Sequence, residues 1–215
     1  MSLLQLGCLV FGLAVIAASY PAEFWPKLRQ ERLYQHLVFA SLAALSVLWS
    51  IQAGIKTGLE LHFLLLTTLV LCHGLRIALW LGLVPLLALL LQGKLAWQDS
   101  GIIFLSQILL PVLASYLLFV WSYHRLSRQL FIYIFVAGFI GAALAIVLQI
   151  GATAGLFWLD GRYDWDSIYD NYLLFSLLIW FPEALLNGAA LTLLAVYKPE
   201  WLRTFYERDY LSPER

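Results

Sequence analysis

Charged residues are scarce in this chain, and their scarcity indicates the class of protein. Only 12% of the 215 residues are charged, whereas 62% are hydrophobic, and the mean hydropathy is +0.83. Soluble globular domains carry about 25% charged residues. We therefore expect a multi-pass protein of the inner (plasma) membrane that is surrounded by the lipid bilayer. The formal net charge is zero, and no nucleic-acid partner is expected.

Cysteines and catalytic motifs are also lacking. The two cysteines, Cys8 and Cys72, both lie in apolar runs, which is typical of neither a disulfide framework nor a thiolate metal cluster. The sequence has no HExxH zinc-protease motif, no GxSxG nucleophile motif and no P-loop. We therefore expect no enzymatic activity and no permanently bound cofactor. Active transport would need a gradient or a separate ATPase subunit.

Long apolar runs make up most of the chain. They are continuous rather than alternating, which predicts transmembrane helices and argues against a β-barrel. We expect one all-α transmembrane domain over residues 1–215 with seven spans. The predicted spans are 1–20, 36–53, 59–73, 77–91, 101–123, 131–158 and 172–197. The first is predicted to be a retained helix, with a cleaved signal peptide as the alternative.

The apolar segment 59–91 is too long for one simple span. A single helix of its 33 residues would be about 50 Å long, against a hydrocarbon core of about 30 Å. His73, Gly74 and Arg76 lie at its middle, which favours two short spans joined by a turn. Because basic residues mark the cytoplasmic side, we predict an external N-terminus and a cytoplasmic C-terminus. This places ten of the thirteen Lys and Arg residues inside; a six-helix topology is the alternative.

The predicted external face is rich in carboxylates. It collects Glu60 and Asp99 together with four aspartates of one loop, which are Asp160, Asp164, Asp166 and Asp170. Such a face attracts cations. We interpret the four loop aspartates as an external acidic mouth; an ordinary acid-leaning loop is the alternative.

His62 is the candidate imidazole ligand for a metal ion. It lies near the external start of the third predicted helix, two residues after Glu60. Imidazole is the commonest side-chain ligand for first-row divalent metals, and carboxylate is a workable second. The alternative is a histidine satisfied by helix packing. His73 and His124 are expected in solvated positions at the cytoplasmic surface, and His36 at an interface.

Glu183 is an ionisable residue near the middle of the last predicted span, where its burial in lipid would be costly. Asn187 follows four residues later and shares its helix face, and Pro182 is expected to kink the helix. These groups could coordinate a cation. The alternative is that Glu183 serves packing, paired with Gln107, Ser106 or Gln149.

Small residues recur along the sixth predicted helix. Gly138, Gly141 and Ala145 precede the stretch Gly151–Gly155, and such spacing allows helices to approach closely. We predict internal packing, with docking of a partner subunit as the alternative.

Four sequence blocks are similar to a transporter family. They are GLELHFLLLTTLVL (58–71), FIYIFVAGFIGAALAIVL (131–148), FPEALLNGAALTLLAVYKPEWLRTF (181–205) and ERDYL (207–211). The chain resembles the energy-coupling-factor ABC transporter permeases of the CbiM/NikM type, and more narrowly their divergent proteobacterial branch. The resemblance implies a seven-helix subunit that captures Co²⁺ or Ni²⁺ for uptake. It also implies two partners, a transmembrane coupling subunit and a cytoplasmic ABC ATPase.

The resemblance also implies a metal site. In that family the ion is held by the N-terminal amine, a histidine at position two and a histidine that opens the third helix. His62 is similar to the last of these, but Ser2 stands at the second position. Glu60, Glu183 and Asn187 are the candidates to complete the site. The alternative function is a non-transporting membrane scaffold or assembly protein whose polar residues serve helix packing.

Overall fold

The computed structural model describes residues 1–205 and Tyr210, and within them the chain forms eight helices joined by loops. The helices are α1 (Leu3–Ala18), α2 (Phe24–Gln30), α3 (Arg32–Ser50), α4 (Leu66–His73), α5 (Leu75–Leu91), α6 (Trp97–Arg125), α7 (Leu130–Leu159) and α8 (Trp165–Tyr197). The predicted all-α class is therefore confirmed.

Four helices are long and apolar enough to cross a membrane. They are α3, α6, α7 and α8, while α1 and α5 are shorter apolar helices. Many of their large hydrophobic side chains remain exposed on the outside of the bundle, as expected for surfaces that face lipid. The protein is a polytopic membrane protein, and the count of seven spans and their orientation stay predictions.

The short helix α4 occupies the centre of the bundle. All of its residues from Leu66 to His73 are buried, and at 1.5 Å per residue it is only about 12 Å long. A helix this short cannot cross the bilayer alone. It is enclosed by protein, where a break in the helix is tolerated because neighbouring groups satisfy its free backbone ends.

The helix within the predicted span 59–73 begins later than expected. Residues 51–65 form a connecting segment, in which Ala53 and Leu61 make an isolated antiparallel bridge with N–O distances of 2.9 and 2.7 Å. Leu65 has a φ of 54°, a left-handed conformation that a leucine rarely adopts. The run LHFLLL is apolar enough for a helix, but Leu61 pairs with Ala53, and the N–H groups of Leu64 and Leu65 donate to Glu183 of α8.

The segment 66–91 is divided at Gly74, and the end of α4 before this break is held by the C-terminal segment. Gly74 separates α4 from α5 with a φ of 81°, which glycine adopts without steric cost. The structure thus has two helices here rather than one. The carbonyls at the end of α4 accept hydrogen bonds from the C-terminal segment. Thr204 N bonds to Leu71 O at 3.2 Å, and Arg203 N bonds to Cys72 O at 3.3 Å.

Helices α7 and α8 approach closely at a glycine. A Cβ atom added to Gly138 would lie 2.5 Å from Leu191 Cδ1. The first part of the small-residue stretch therefore serves internal packing, as predicted. Gly151 and Gly155 differ, because a Cβ added at either would meet nothing within 4 Å.

Helix α8 is irregular just before Pro182. Leu178 N bonds to Phe175 O at 3.1 Å and Ile179 N bonds to Ser176 O at 3.2 Å, so the chain makes tight three-residue turns there. Proline supplies no N–H to the carbonyl four residues earlier, which accounts for the irregularity at the predicted position.

Candidate functional site

Glu183 and Asn187 lie side by side on α8, as their four-residue spacing predicts. Both are buried, with exposed fractions of 1% and 0%. Asn187 Nδ2 donates to the Glu183 carboxylate at 2.8 Å and to the Glu183 main-chain carbonyl at 2.9 Å. The two side chains form one hydrogen-bonded unit, which we call the α8 clamp.

The Glu183 carboxylate binds the backbone just ahead of α4. Leu64 N donates to its Oε2 and Leu65 N to its Oε1, each at 2.9 Å. A carboxylate is favoured there because a helix N-terminus carries partial positive charge. Buried N–H groups also need an acceptor. Glu183 therefore caps α4 from a position 118 residues away along the chain.

Asn187 completes the cap one turn further on. Its Oδ1 accepts hydrogen bonds from Thr68 N at 3.0 Å and from Thr68 Oγ1 at 2.9 Å. Leu65 stands at the N-cap position and makes no side-chain capping bond, a role usually filled by Ser, Thr, Asp or Asn. The α8 clamp supplies the missing acceptors from another helix.

The alternative partners predicted for Glu183 were wrong. Gln107 bonds to His62, Ser106 donates to the Ile102 carbonyl at 2.9 Å, and Gln149 lies 3.2 Å from the Tyr172 hydroxyl. The carboxylate instead bonds to the backbone of the connecting segment.

His62 is buried in that segment, two residues before the clamped backbone. Its exposed fraction is 4%. Its Nε2 lies 3.0 Å from Gln107 Oε1 and its Nδ1 lies 3.2 Å from Phe63 O. The ring packs against Trp49 with the centroids 4.5 Å apart. Gln107 belongs to a π-helical stretch of α6, Phe104–Leu109, and such irregular turns are frequent at functional sites.

The structure does not gather the predicted ligands into one site. Among residues 1–205 and Tyr210, no group of three or more His, Cys, Asp or Glu side chains could hold a metal ion. Glu60 accepts a hydrogen bond from Gly58 N at 2.7 Å. Glu183 and Asn187 are together, but they bind α4.

The four aspartates of the predicted mouth have different roles. Asp160 accepts a hydrogen bond from Ser2 Oγ. Asp164 caps the first turn of α8 and accepts from Ser167 N at 3.2 Å, while Asp166 and Asp170 are exposed. The mouth is therefore partly structural, although three of its four aspartates, Asp164, Asp166 and Asp170, are exposed.

Asp99 links the elements at this end of the bundle, although the sequence placed it only on the external face. It is buried at 2% exposure. It forms an ion pair with Arg162 and accepts from Gln5 Nε2 at 3.0 Å. Arg162 also donates to Thr57 Oγ1 at 2.8 Å. The single basic residue of an acidic loop was the available signal for such a pair.

His73 differs from its predicted solvated position. It is fully buried, and its Nε2 lies 3.0 Å from Ser41 Oγ while its Nδ1 lies 3.4 Å from the Tyr34 hydroxyl. The neighbouring Arg76 is exposed. The hinge at Gly74 turns one of the two outward and leaves the other in the core. His124 and His36 are exposed.

One family model covers almost the entire chain. It is described as the cobalt uptake substrate-specific transmembrane region, CbiM, and it matches residues 2–201. The chain belongs to the CbiM family. The comparisons with curated proteins and with solved structures found no match.

Membership of the CbiM family agrees with the fold. The family consists of transmembrane components for cobalt uptake, which work with other subunits, rather than of enzymes. The matched range includes His62, the α8 clamp and the acidic mouth. The similar block at 207–211 lies outside the described residues, apart from Tyr210.

Proposed function

We propose that this CbiM-family protein is the substrate-capture subunit of an energy-coupling-factor transporter for a divalent transition-metal ion, Co²⁺ or Ni²⁺. The family match over residues 2–201 is the observation that carries the proposal. Imidazole suits both ions, so His62 fits either substrate.

The ion first meets the carboxylates at the end of the bundle that holds Ser2, Asp99 and Asp160. Asp166 and Asp170 are exposed there, and a face rich in carboxylates raises the local concentration of cations. Attraction at this surface requires no fixed coordination. It would deliver ions toward the connecting segment.

His62 is the proposed ligand, and its hydrogen bonds favour the required tautomer. The backbone oxygen of Phe63 can only accept, so the bond at 3.2 Å places the proton on Nδ1. Nε2 then carries a lone pair toward Gln107, whose amide group can rotate to donate to it. Metal-binding histidines commonly donate their other ring N–H to a backbone carbonyl in this way. An arriving ion would replace Gln107 as the partner of Nε2.

The α8 clamp is proposed to position this histidine. It fixes Leu64 N and Leu65 N at 2.9 Å from Glu183, so the backbone just after His62 has little freedom. Glu60 is the nearest predicted carboxylate in sequence. It is the proposed second ligand, whereas Glu183 and Asn187 could bind an ion only after leaving α4.

Energy for uptake would come from other subunits. Because the sequence has no P-loop, nucleotide hydrolysis needs a separate ABC ATPase, joined through a transmembrane coupling subunit. Co-purification of these two proteins with the tagged chain from the native host is the expected result. Their absence from the purified complex would contradict this part of the proposal.

Equilibrium metal binding tests the proposal. Isothermal titration of the purified protein with Co²⁺ and Ni²⁺ should show binding that is lost in His62→Ala. His124→Ala is the matched control because that histidine is exposed near the end of α6, and it should bind as the wild type does. Equal affinities in all three proteins would contradict the assignment of His62.

A second candidate function is a non-transporting membrane scaffold. It is favoured by the α8 clamp, whose polar atoms are used in capping α4. This candidate predicts no binding of any first-row divalent ion by the wild-type protein. Binding that depends on His62 would exclude it.

A further inference from the structure

A basic cavity opens at the end of the bundle opposite Asp99. Its volume is about 650 Å³, and its lining includes Glu23, Arg76, Tyr116, Phe119, His124 and Arg203. They come from the first turn of α5, the second half of α6, and the segments that precede α2 and follow α8. By the distribution of Lys and Arg, this is the predicted cytoplasmic end.

The charges in the cavity favour an anion. Arg76 is exposed and forms no ion pair with any residue that the structure describes. Arg203 lies 3.9 Å from Glu23, and about half of its side chain is exposed. Its Nη1 donates to His73 O at 3.2 Å. Two guanidinium groups therefore face one carboxylate.

The walls of the cavity are apolar where they meet the transmembrane helices. Tyr116 and Phe119 belong to α6 and lie on the wall beside Arg76, with their ring centroids 6.4 Å apart. A polar, basic floor beside an aromatic wall suits a molecule with an anionic head and an apolar tail. A soluble anion would use only the first of these features.

We propose that this cavity binds the phosphate of an anionic phospholipid in the adjacent leaflet. Arg76 and Arg203 would hold the phosphate oxygens, since the planar guanidinium matches phosphate geometry. Tyr116 and Phe119 would contact the start of an acyl chain. Basic pockets between transmembrane helices on the cytoplasmic side bind anionic head groups in this manner. The site is separate from His62 and does not depend on metal binding.

Lipid retention measured by native mass spectrometry tests the proposal. The full-length protein would be purified in detergent and exposed to phosphatidylglycerol or phosphatidylcholine at equal concentrations. We expect retained phosphatidylglycerol and little phosphatidylcholine. Arg76→Gln should lower the affinity for phosphatidylglycerol about fivefold, the effect of one basic charge near an anionic lipid.

Two further variants separate charge from geometry and from general attraction. Arg125→Gln removes an exposed basic residue at the same end of α6 that does not line the cavity, and it should leave retention unchanged. Arg76→Lys keeps the charge but loses the planar guanidinium that can donate two hydrogen bonds to one phosphate. This variant should bind phosphatidylglycerol with intermediate affinity. Equal losses in Arg76→Gln and Arg125→Gln would overturn the proposal, because they would indicate non-specific attraction.

A titration followed by thermal stability distinguishes a bound lipid from a bound soluble anion. Inorganic phosphate and glycerol 3-phosphate would be titrated against the protein while thermal stability is recorded. We expect millimolar amounts of either to stabilise the protein less than micromolar phosphatidylglycerol. Stabilisation by inorganic phosphate, without retention of phosphatidylglycerol, would identify a soluble-anion site and refute the lipid assignment.

Discussion

Removal of the Glu183 side chain should destabilise this protein far more than removal of a surface carboxylate. Leu64 N, Leu65 N and Asn187 Nδ2 all donate to it, at 2.9, 2.9 and 2.8 Å. In Glu183→Ala the two backbone donors lose their acceptor, while Asn187 Nδ2 keeps only its bond to the main-chain carbonyl of residue 183. The free energy of unfolding should fall because two of them are backbone groups buried at the start of α4.

The size of the loss follows from the hydrogen bonds that are broken. Bonds between helices in membrane proteins average about 0.6 kcal/mol, which gives about 2 kcal/mol for three. Two buried backbone donors without an acceptor would cost about 1–3 kcal/mol each, which sets an upper value of about 6 kcal/mol. Glu183→Gln keeps one acceptor oxygen but places an NH₂ group against a backbone N–H, so its loss should be intermediate.

Reversible unfolding in mixed detergent micelles, followed by circular dichroism, measures these differences. Glu200→Ala is the matched control, since that side chain is 48% exposed and lies 3.7 Å from Lys198. An exposed pair of this kind contributes at most about 1 kcal/mol. If Glu183→Ala and Glu200→Ala lower the unfolding free energy equally, the capping role of Glu183 is refuted.

Two further predictions concern packing and topology. Gly101→Ala should destabilise the protein because the added Cβ would collide with the backbone nitrogen of Leu9. Gly151→Ala meets nothing within 4 Å and should be neutral or gain up to about 1 kcal/mol from helix propensity; equal thermal stabilities would contradict this contrast. In a cysteine-free background, Asp166→Cys should react with an impermeant maleimide added outside the cell, whereas Arg76→Cys should react only after permeabilisation. External labelling at position 76 would contradict the predicted orientation.

The sequence alone shows that Glu183 would be costly to bury and that Asn187 follows it by four residues. Together they identified a polar pair on one helix face, and the structure contains that pair. The binding partners of this pair could not be predicted from the sequence. They are backbone N–H groups of Leu64 and Leu65, and main-chain donors leave no trace in residue type.

The connecting segment shows a similar limit. Apolar composition at LHFLLL indicates that these residues are buried, but it does not say whether their backbone is helical or bonded elsewhere. Since the α8 clamp supplies acceptors from 118 residues away, the segment stays non-helical up to Leu65. His73 was misplaced for a related reason, because the exposed Arg76 beyond the hinge suggested a surface.

X-ray absorption by bound Co²⁺ tests the assignment of His62 most directly. The fine structure reports imidazole groups in the coordination shell, independently of affinity. Imidazole scattering is predicted for the wild type and for His124→Ala, and its loss is predicted for His62→Ala at the same concentration of added cobalt. The same imidazole signal in His62→Ala, or its absence from the wild type, would contradict the role of His62 as the metal ligand.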